Sequence, residues 1–439
     1  MADPQEAGPE AGPEDEPEAT PLLAPRDGVP ELSVSTSDIK RAAELLASGH
    51  GPFAIDAERA SGFRYSNRAY LIQIRRAGAG TVLIDPVNHG GDPMATLAPV
   101  AKVLETDEWV LHAADQDLPC LAEIGMRPTT LYDTELAGRL AGYDKVNLAT
   151  MVQKLLGLQL TKGHGAADWS QRPLPHDWLN YAALDVEVLL DLRHAIAAVL
   201  EEQNKTEWAA QEFEHLRAYE AMPTRRDRWR RTSGIHKIRD ARALAAVREL
   251  WTTRDNIAQR RDIAPGRILP DAAIVNAATV SPDTVEKLTA LPVFGGSRQR
   301  RMANVWLEAL DRARTTDDPP SSAEPSAGPP PASRWARRKP EAAARLEAVR
   351  AAISELSQRI SVPSENIVTP EIVRRLCWDW QPLPTLEETA AVIDEFLRDA
   401  RVRQWQRDLT VPVLSDALYA DPTAADPTAE TDAETADRS

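Results

Sequence analysis

The sequence predicts an α/β domain followed by two small domains made of helices alone. Four strand-like apolar runs come first and helical patterns follow: the runs are Phe53–Asp56, Ala69–Ile74, Thr81–Asp85 and Trp109–His112, and the helical patterns start near Asp117, Asp133 and Leu148 and end with Asp177–Glu202. Strands followed by interleaved helices are typical of an α/β layer structure, here over residues 34–215. Residues 225–314 and 338–412 have helical spacing throughout, with a Pro-rich linker over residues 315–337 between them.

Most of the net charge of −16 lies at the two ends of the chain. Residues 1–33 hold nine acids and one base, and residues 416–439 hold seven acids and one base. Both ends are rich in small, polar and Pro residues and cannot bury a core. We therefore expect disordered acidic tails over residues 1–33 and 413–439.

One part of this acidic protein is basic. Residues 225–314 hold 19 Lys and Arg against 10 Asp and Glu, a local charge of +9. A polyanion such as a nucleic acid would dock on a surface of this kind. The alternative is a helical surface whose charges only keep it solvated.

The sequence argues against several other classes of protein. Its two cysteines, Cys120 and Cys377, are too few and too far apart for a disulfide framework or a zinc site. The N-terminus lacks the pattern of a signal peptide, and no run of 18 uncharged apolar residues occurs. We expect a cytoplasmic protein that makes no contact with a membrane.

A weak internal repeat links the two helical segments. Gln259-Arg260 recurs as Gln358-Arg359 at an offset of 99 residues, and apolar pairs follow both at matching positions. Two copies of one helical unit would explain this pattern, although short helix–turn–helix segments can also converge on it.

Three acidic motifs occur along the α/β segment. Asp56 and Glu58 end an apolar strand at a spacing that places both on one face. Asp115 and Asp117 follow another strand, where either could open a helix, and Tyr181 and Asp185 stand four apart on a third element. Each motif alone has an ordinary explanation: solvated acids at a strand end, a helix cap, or a surface pair.

Taken together, the motifs indicate a metal site. Four carboxylates at one place repel each other and are costly to desolvate unless cations neutralise them. Mg²⁺ and Mn²⁺ prefer carboxylate oxygens, and two such ions can bind a phosphodiester and activate a water molecule. A tyrosine hydroxyl could position that water or help to deprotonate it.

These motifs resemble those of the DEDDy exonucleases, specifically the RNase D family. The matching segments are Ile55-Asp56-Ala57-Glu58, His112-Ala113-Ala114-Asp115-Gln116-Asp117-Leu118 and Tyr181-Ala182-Ala183-Leu184-Asp185. The resemblance implies a ribonuclease-H-like fold and two Mg²⁺ or Mn²⁺ ions held by Asp56, Glu58, Asp117 and Asp185. It implies that Tyr181 positions the water. Asp117 is preferred to its neighbour two residues earlier because the family's acid directly precedes a Leu.

Further residues match RNase D positions that flank the cleft or the next domain. Gln73, His112, Lys162 and Arg172 are candidate substrate-binding residues, and orienting loops around the core is their alternative role. Residues 225–314 resemble the HRDC domain, a helical nucleic-acid-binding module, through residues 250–258 and 265–270, and residues 338–412 resemble a more divergent copy. In the first of these domains Arg254, Arg260 and Arg261 could contact phosphates. His164 has no evident ligand-like partner, so we expect it at the surface.

The resemblance predicts a 3′→5′ exoribonuclease that releases 5′-mononucleotides. Its implied substrates are RNA 3′ ends, in particular those of transfer-RNA precursors, and no obligate protein partner is evident. A DNA-directed 3′→5′ exonuclease is the alternative among enzymes, because the motifs do not read the 2′-OH. A nucleic-acid-binding protein with no catalytic activity is the alternative from another class.

Overall fold

The computed structural model describes residues 19–87, 91–161, 163–218, 227–321 and 328–419. The strands are β1 (Thr20–Leu22), β2 (Leu32–Ser33), β3 (His50–Arg59), β4 (Ala69–Ala77), β5 (Gly80–Ile84), β6 (Trp109–Leu111), β7 (Leu131–Asp133) and β8 (Leu158–Leu160). The helices of the first domain are α1 (Thr36–Ser48), α2 (Pro93–Leu104), α3 (Leu118–Glu123), α4 (Thr134–Leu140), α5 (Leu148–Leu156), α6 (His176–Glu187), α7 (Leu189–Glu202) and α8 (Thr206–Arg217).

The helical domains follow in chain order. The first contains α9 (Ala241–Arg261), α10 (Pro265–Ile268), α11 (Asp271–Val280), α12 (Val285–Thr289), α13 (Ser297–Arg301) and α14 (Ala303–Thr315). The second contains α15 (Trp335–Arg338), α16 (Pro340–Ile360), α17 (Ser364–Ile367), α18 (Pro370–Asp379), α19 (Leu386–Asp399) and α20 (Gln404–Tyr419). The predicted fold class, an α/β domain followed by two all-helical domains, is confirmed.

A six-stranded sheet lies at the centre of the first domain, in the order β2-β5-β4-β3-β6-β7. β4 runs antiparallel to β3 and β5, whereas β6 is parallel to β3 and to β7. Side chains of β3 alternate between two cores, because Phe53 and Ile55 pack with α1, α2 and α3 while Ala54 packs with α4, α5 and α7. Helices therefore cover both faces, and β3 occupies the middle of the sheet.

The four strands predicted from the sequence are confirmed as β3, β4, β5 and β6. The single helix expected over Asp177–Glu202 is instead two helices, α6 and α7, which meet at Val188. β7 was not predicted, because its sequence Leu131-Tyr132-Asp133 lacks the continuous apolar run of β6.

The prediction that residues 1–33 form a disordered tail is wrong for residues 19–33. β1 pairs in parallel with β8, and β2 pairs in parallel with β5. Between these strands Arg26 Nη2 donates to Asp191 Oδ2 at 3.0 Å, and Asn180 Nδ2 donates to the Leu23 carbonyl at 2.9 Å. The sequence did not predict these strand pairings, because the segment is acidic and its partner strands are far away in the chain. Residues 1–18 lie outside the described residues.

The boundaries predicted for the C-terminal segments also need correction. α20 continues to Tyr419 and buries Leu414 and Leu418, so residues 413–419 are helical and do not belong to a tail. Trp335, placed by the sequence in the Pro-rich linker, is fully buried and starts α15. Residues 322–327 and 420–439 lie outside the described part of the chain.

The internal repeat is confirmed by the helices. α9, α10 and α11 have 21, 4 and 10 residues, and α16, α17 and α18 have the same three lengths at the same offset along the chain. The long helix of each copy ends in a left-handed residue, Asp262 with φ 47° and Ser361 with φ 50°. The second helical domain therefore repeats the first unit, with a different surface.

The first helical domain docks on the loop between β3 and β4 through Asp262. The Ser66 amide donates to Asp262 Oδ1 at 2.8 Å and the Tyr70 hydroxyl donates to Oδ2 at 3.4 Å. Arg68 Nη2 lies 3.6 Å from the same Oδ2. Because this loop directly follows β3, the helical domain is attached close to the end of the central strand.

The second helical domain docks on α8. Arg403 makes two hydrogen bonds of 2.7 Å to the Glu212 carboxylate, and Trp405 Nε1 donates to Glu212 Oε1 at 2.8 Å. The rings of Trp405 and Trp208 stack with centroids 4.9 Å apart. One buried carboxylate thus organises this contact.

Both cysteines, Cys120 and Cys377, are buried free thiols. Among the described helices none combines the length and apolarity needed to cross a membrane.

Replacing Glu212 by Ala should weaken the contact between α8 and the second helical domain. Its loss leaves the Arg403 guanidinium partly buried without its partner, which we expect to cost about 2–3 kcal/mol of unfolding free energy. Glu212→Gln is the matched control, because it keeps an acceptor for Trp405 but removes the charge. Urea denaturation followed by tryptophan fluorescence measures both variants, and equal stability of wild type and Glu212→Ala would contradict this prediction.

Candidate active site

The end of β3 places two carboxylates on one face of the central sheet. Asp56 lies opposite Gln73 and Glu58 lies opposite Leu71 on β4. Ligand oxygens of Asp56, Glu58 and Asp185 all lie within 4.8 Å of one another. The structure thus brings together three of the four acids predicted from the sequence.

The fourth acid, Asp117, lies beside this group. It follows β6, and its carboxyl group interacts with that of Asp56. The preceding loop is held by Asp133, whose carboxylate accepts the amides of Ala113 at 3.1 Å and Ala114 at 2.8 Å. Ala113 adopts a left-handed conformation with φ 58°, which turns the chain from β6 towards α3. Asp115 is exposed, so its position supports the choice of Asp117.

α6 supplies the remaining residues of the site. Tyr181 and Asp185 are one turn apart on this helix, and the Tyr181 hydroxyl interacts with the Asp185 carboxylate. Both residues line a cavity of about 230 Å³ together with Asp56 and His112. Of the five residues chosen from the sequence, Asp56, Tyr181 and Asp185 therefore line one cavity, and Glu58 and Asp117 lie close to Asp56.

Burial raises the pKa values of all four acids, and the charges of neighbouring acids add to this for Glu58, Asp117 and Asp185. Burial, followed by the charges of Asp56, Asp185 and Asp117, raises the pKa of Glu58 to about 10. Burial raises the pKa values of Asp56, Asp117 and Asp185 as well. Acids in this environment resist ionisation unless positive charge is brought to them.

The arrangement fits divalent cations. The cluster offers carboxylate oxygens alone, which are the ligands that Mg²⁺ and Mn²⁺ prefer. Its oxygens are near enough to share an ion, and the raised pKa values show that the fold supplies too little positive charge of its own. Asp56, Glu58 and Asp185 could hold one ion, and Asp56 with Asp117 could hold a second.

The rings of Trp169 and His164 lie beside Tyr181, and the sequence analysis did not predict the His164 contact. The rings of Trp169 and Tyr181 lie 6.5 Å apart, and the ring of His164 meets that of Tyr181 edge-on at 5.9 Å. The backbone of Gly163 lies against the tyrosine ring, because an added Cβ there would come within 1.8 Å of Tyr181 Cδ2. His164 is thus partly exposed, as expected, but it also packs beside the site. The sequence does not predict these contacts, because Gly163 and His164 lie on the segment between β8 and α6, whereas Tyr181 lies on α6.

Two further candidates lie close to the acids. Gln73 is fully buried, and neither amide atom has a hydrogen-bond partner within the described residues. It pairs with Asp56 across β3 and β4, and its side chain is closed off from solvent. His112 lines the cleft and bonds Thr134 Oγ1 through Nδ1 at 2.9 Å, and burial lowers its pKa to about 4. Its imidazole is neutral at physiological pH.

The remaining candidates for substrate binding separate into two groups. Arg172 forms a fork with Asp85 at 2.6 and 2.9 Å and also donates to three backbone carbonyls. Arg254 is buried and donates to Asp271 at 2.5 Å. These bonds favour the alternative role of orienting loops, since phosphate contact would require breaking them. Arg260 and Arg261 are exposed, and Lys162 lies outside the described residues.

Comparisons with protein families divide the chain into three units. Residues 33–201 match the model of a 3'-5' exonuclease, residues 243–310 match the HRDC domain, and residues 328–418 match a 3' to 5' exonuclease C-terminal domain. These matches confirm the predicted exonuclease and HRDC resemblances, and the third extends the C-terminal domain at both ends.

Curated relatives and solved structures agree with these units. A ribonuclease D from Gluconacetobacter diazotrophicus is 30% identical over 297 residues, which cover 66% of this chain and 73% of that protein. A crystal structure of a protein from Bifidobacterium adolescentis is 35% identical, with a TM-score of 0.79 over 91% of this chain and 100% of the other. Escherichia coli RNase D, described as an exoribonuclease involved in structured RNA processing, shares the fold at 22% identity, with a TM-score of 0.62 over 84% of this chain and 98% of its own.

Gly163→Ala should displace the Tyr181 ring without unfolding the protein. The added methyl group would overlap the ring, so Tyr181 must leave its position over Asp185. Gly165→Ala is the matched control, because its Cβ would lie 3.5 Å from the Tyr181 hydroxyl, an ordinary contact. We expect the rate of RNA hydrolysis to fall about 10²-fold for Gly163→Ala and little for Gly165→Ala. Equal rates for both variants would contradict the placement of Tyr181.

The stability of the metal-free protein should depend on pH through Glu58. Because the pKa of Glu58 is raised to about 10, the stability it contributes is complete below its unfolded pKa of about 4.3 and is lost as pH rises towards 10. A divalent ion binds the ionised carboxylate, so Mg²⁺ should raise the melting temperature more at about pH 8.5 than at about pH 6.

Differential scanning fluorimetry with and without Mg²⁺ measures this dependence, with Glu58→Gln as the variant that cannot ionise. We expect a smaller Mg²⁺ shift and a flatter pH profile in Glu58→Gln. A Mg²⁺ shift in the wild type that stays constant across this pH range would refute the prediction.

Proposed function

Because the chain belongs to the ribonuclease D family and is therefore a hydrolytic 3′→5′ exoribonuclease, we propose that the acidic cluster between β3, the β6–α3 loop and α6 is its active site. We further propose that it acts in the cytoplasm on the 3′ ends of transfer-RNA precursors and releases 5′-mononucleotides. The convergence of Asp56, Glu58 and Asp185, with Asp117 beside them, is the observation that supports this most strongly.

The four carboxylates would act by holding divalent ions and, through them, the terminal phosphodiester. Two Mg²⁺ or Mn²⁺ ions, when bound, would lower the pKa of the attacking water and stabilise the leaving 3′-oxygen. The protein's own contribution is geometric: three separate elements fix the acids before substrate arrives, so little reorganisation is needed during the reaction.

Tyr181 would orient the attacking water by a hydrogen bond. Burial and the charge of Asp185 raise the pKa of its hydroxyl above the ordinary value, so the phenol keeps its proton. A protonated phenol donates one hydrogen bond and accepts another. Positioning the water, and not removing its proton, is therefore the role that this environment favours.

The HRDC unit would hold the body of the RNA while its 3′ end lies in the cleft. The basic charge of this unit, and the exposure of Arg260 and Arg261 at the end of α9 that docks on the β3–β4 loop, support this arrangement. The ribonuclease names of the relatives favour RNA over the DNA alternative.

Replacing one acid of the cluster should abolish hydrolysis without unfolding the protein. We expect Asp185→Asn to lower the rate of mononucleotide release at least about 10³-fold, because it removes a carboxylate that the ions need. Asp115→Asn is the matched control: this acid is exposed and lies two residues before Asp117. Release of labelled mononucleotide from a 3′-labelled RNA, with EDTA as the metal-free reference, measures both variants.

Full activity of Asp185→Asn, or wild-type activity that survives EDTA, would contradict the proposed site.

Tyr181→Phe should slow hydrolysis strongly while leaving Mg²⁺ binding unchanged. A matched DNA oligonucleotide and a transfer-RNA precursor in the same assay decide the sugar preference and the substrate class.

A further inference from the structure

One cation touches the acidic cluster, and the proposed site does not use it. Arg59 Nε lies 3.6 Å from Asp117 Oδ1, and Arg59 Nη2 donates to Gln116 Oε1 at 3.4 Å. Across the described residues no other Lys, Arg or His forms an ion pair with any of the four acids of the site. The side chain of Arg59 is 23% exposed, whereas that of Asp117 is 7% exposed.

The fold brings Arg59 to this place by an irregularity in the sheet. Strand alternation would send Arg59 to the face opposite Glu58. At this point, however, the register between β3 and β4 slips, because Glu58 pairs with Leu71 whereas Arg59 pairs with Ala69. The extra residue on β4 forms a bulge, and bulges increase the local twist and turn side chains in new directions. Arg59 thus reaches the β6–α3 loop and contacts Asp117 there.

Arg59 and a metal ion would compete for Asp117. A guanidinium at 3.6 Å neutralises part of the charge on that carboxylate, which lowers its attraction for a divalent cation. Once a cation of higher charge has taken the carboxylate, the ion pair loses most of its value. Because the side chain is partly exposed, the guanidinium can then turn towards the cleft.

We propose that Arg59 is a positioning residue that holds Asp117 in the metal-free protein and turns to a phosphate of the RNA 3′ end when the site is loaded. This inference rests on the proposed function of the cluster. A guanidinium presents several donors in a planar fork that matches two phosphate oxygens. At the edge of the cleft it would neutralise the phosphate next to the bond that is cut.

The first test measures metal binding without RNA. We expect Arg59→Gln to bind Mn²⁺ about fivefold more tightly than the wild type in titration calorimetry, because a partly exposed ion pair of this kind is worth up to about 1 kcal/mol. Arg41→Gln, which removes an exposed cation on α1 paired with Asp38, should leave Mn²⁺ affinity unchanged. Unchanged or weaker Mn²⁺ binding in Arg59→Gln would overturn the competition.

The second test measures hydrolysis at saturating Mn²⁺. For an RNA with a free 3′ end, we expect kcat/KM to fall about 10-fold or more in Arg59→Gln, mainly through a higher KM. Arg59→Lys should recover part of this loss, because lysine keeps the positive charge but lacks the planar fork of donors. A residue that merely supports the fold would weaken metal binding and hydrolysis together. Tighter Mn²⁺ binding combined with unchanged kcat/KM would overturn the phosphate contact.

The two tests also separate this inference from the proposed function. If the wild type releases no nucleotide from RNA, the proposed function fails, and the phosphate contact fails with it. The Mn²⁺ isotherms of the wild type and Arg59→Gln still decide whether Arg59 competes for Asp117.

Discussion

Four carboxyl groups held together in a half-buried cleft are the constraint on which the rest of the structure depends. Asp56, Glu58, Asp117 and Asp185 repel one another and have lost most of their water, as their raised pKa values show. Such a group stays together only if the backbone that carries it is fixed by packing elsewhere. A central strand, a loop pinned by Asp133 and a helix supply that rigidity.

The contacts between domains act on the same region. The first helical domain is bound through Asp262 to the loop that follows β3. The N-terminal segment pairs with β8, donates a hydrogen bond to Asp191 on α7 and accepts one from Asn180 on α6, the helix that carries Tyr181. The helical domain of basic charge and the acidic cleft are therefore parts of one connected framework.

The sequence could predict that these acids lie together because their signal is local. Asp56 and Glu58 share a strand, Tyr181 and Asp185 share a helical turn, and Asp117 was distinguished from Asp115 by the residue that follows it. Arg172 and Arg254 were harder to interpret, because their partners Asp85 and Asp271 are 87 and 17 residues away. A pattern of residue types shows that an arginine is present but not which carboxylate already binds it.

Anomalous scattering from crystals soaked in Mn²⁺ tests the central claim most directly. The account predicts two peaks about 3.5–4 Å apart between the carboxylates of Asp56, Glu58, Asp117 and Asp185, with the Tyr181 hydroxyl facing the space beside them. Density for Mn²⁺ elsewhere and none among these four acids, in a protein that still degrades RNA, would contradict it.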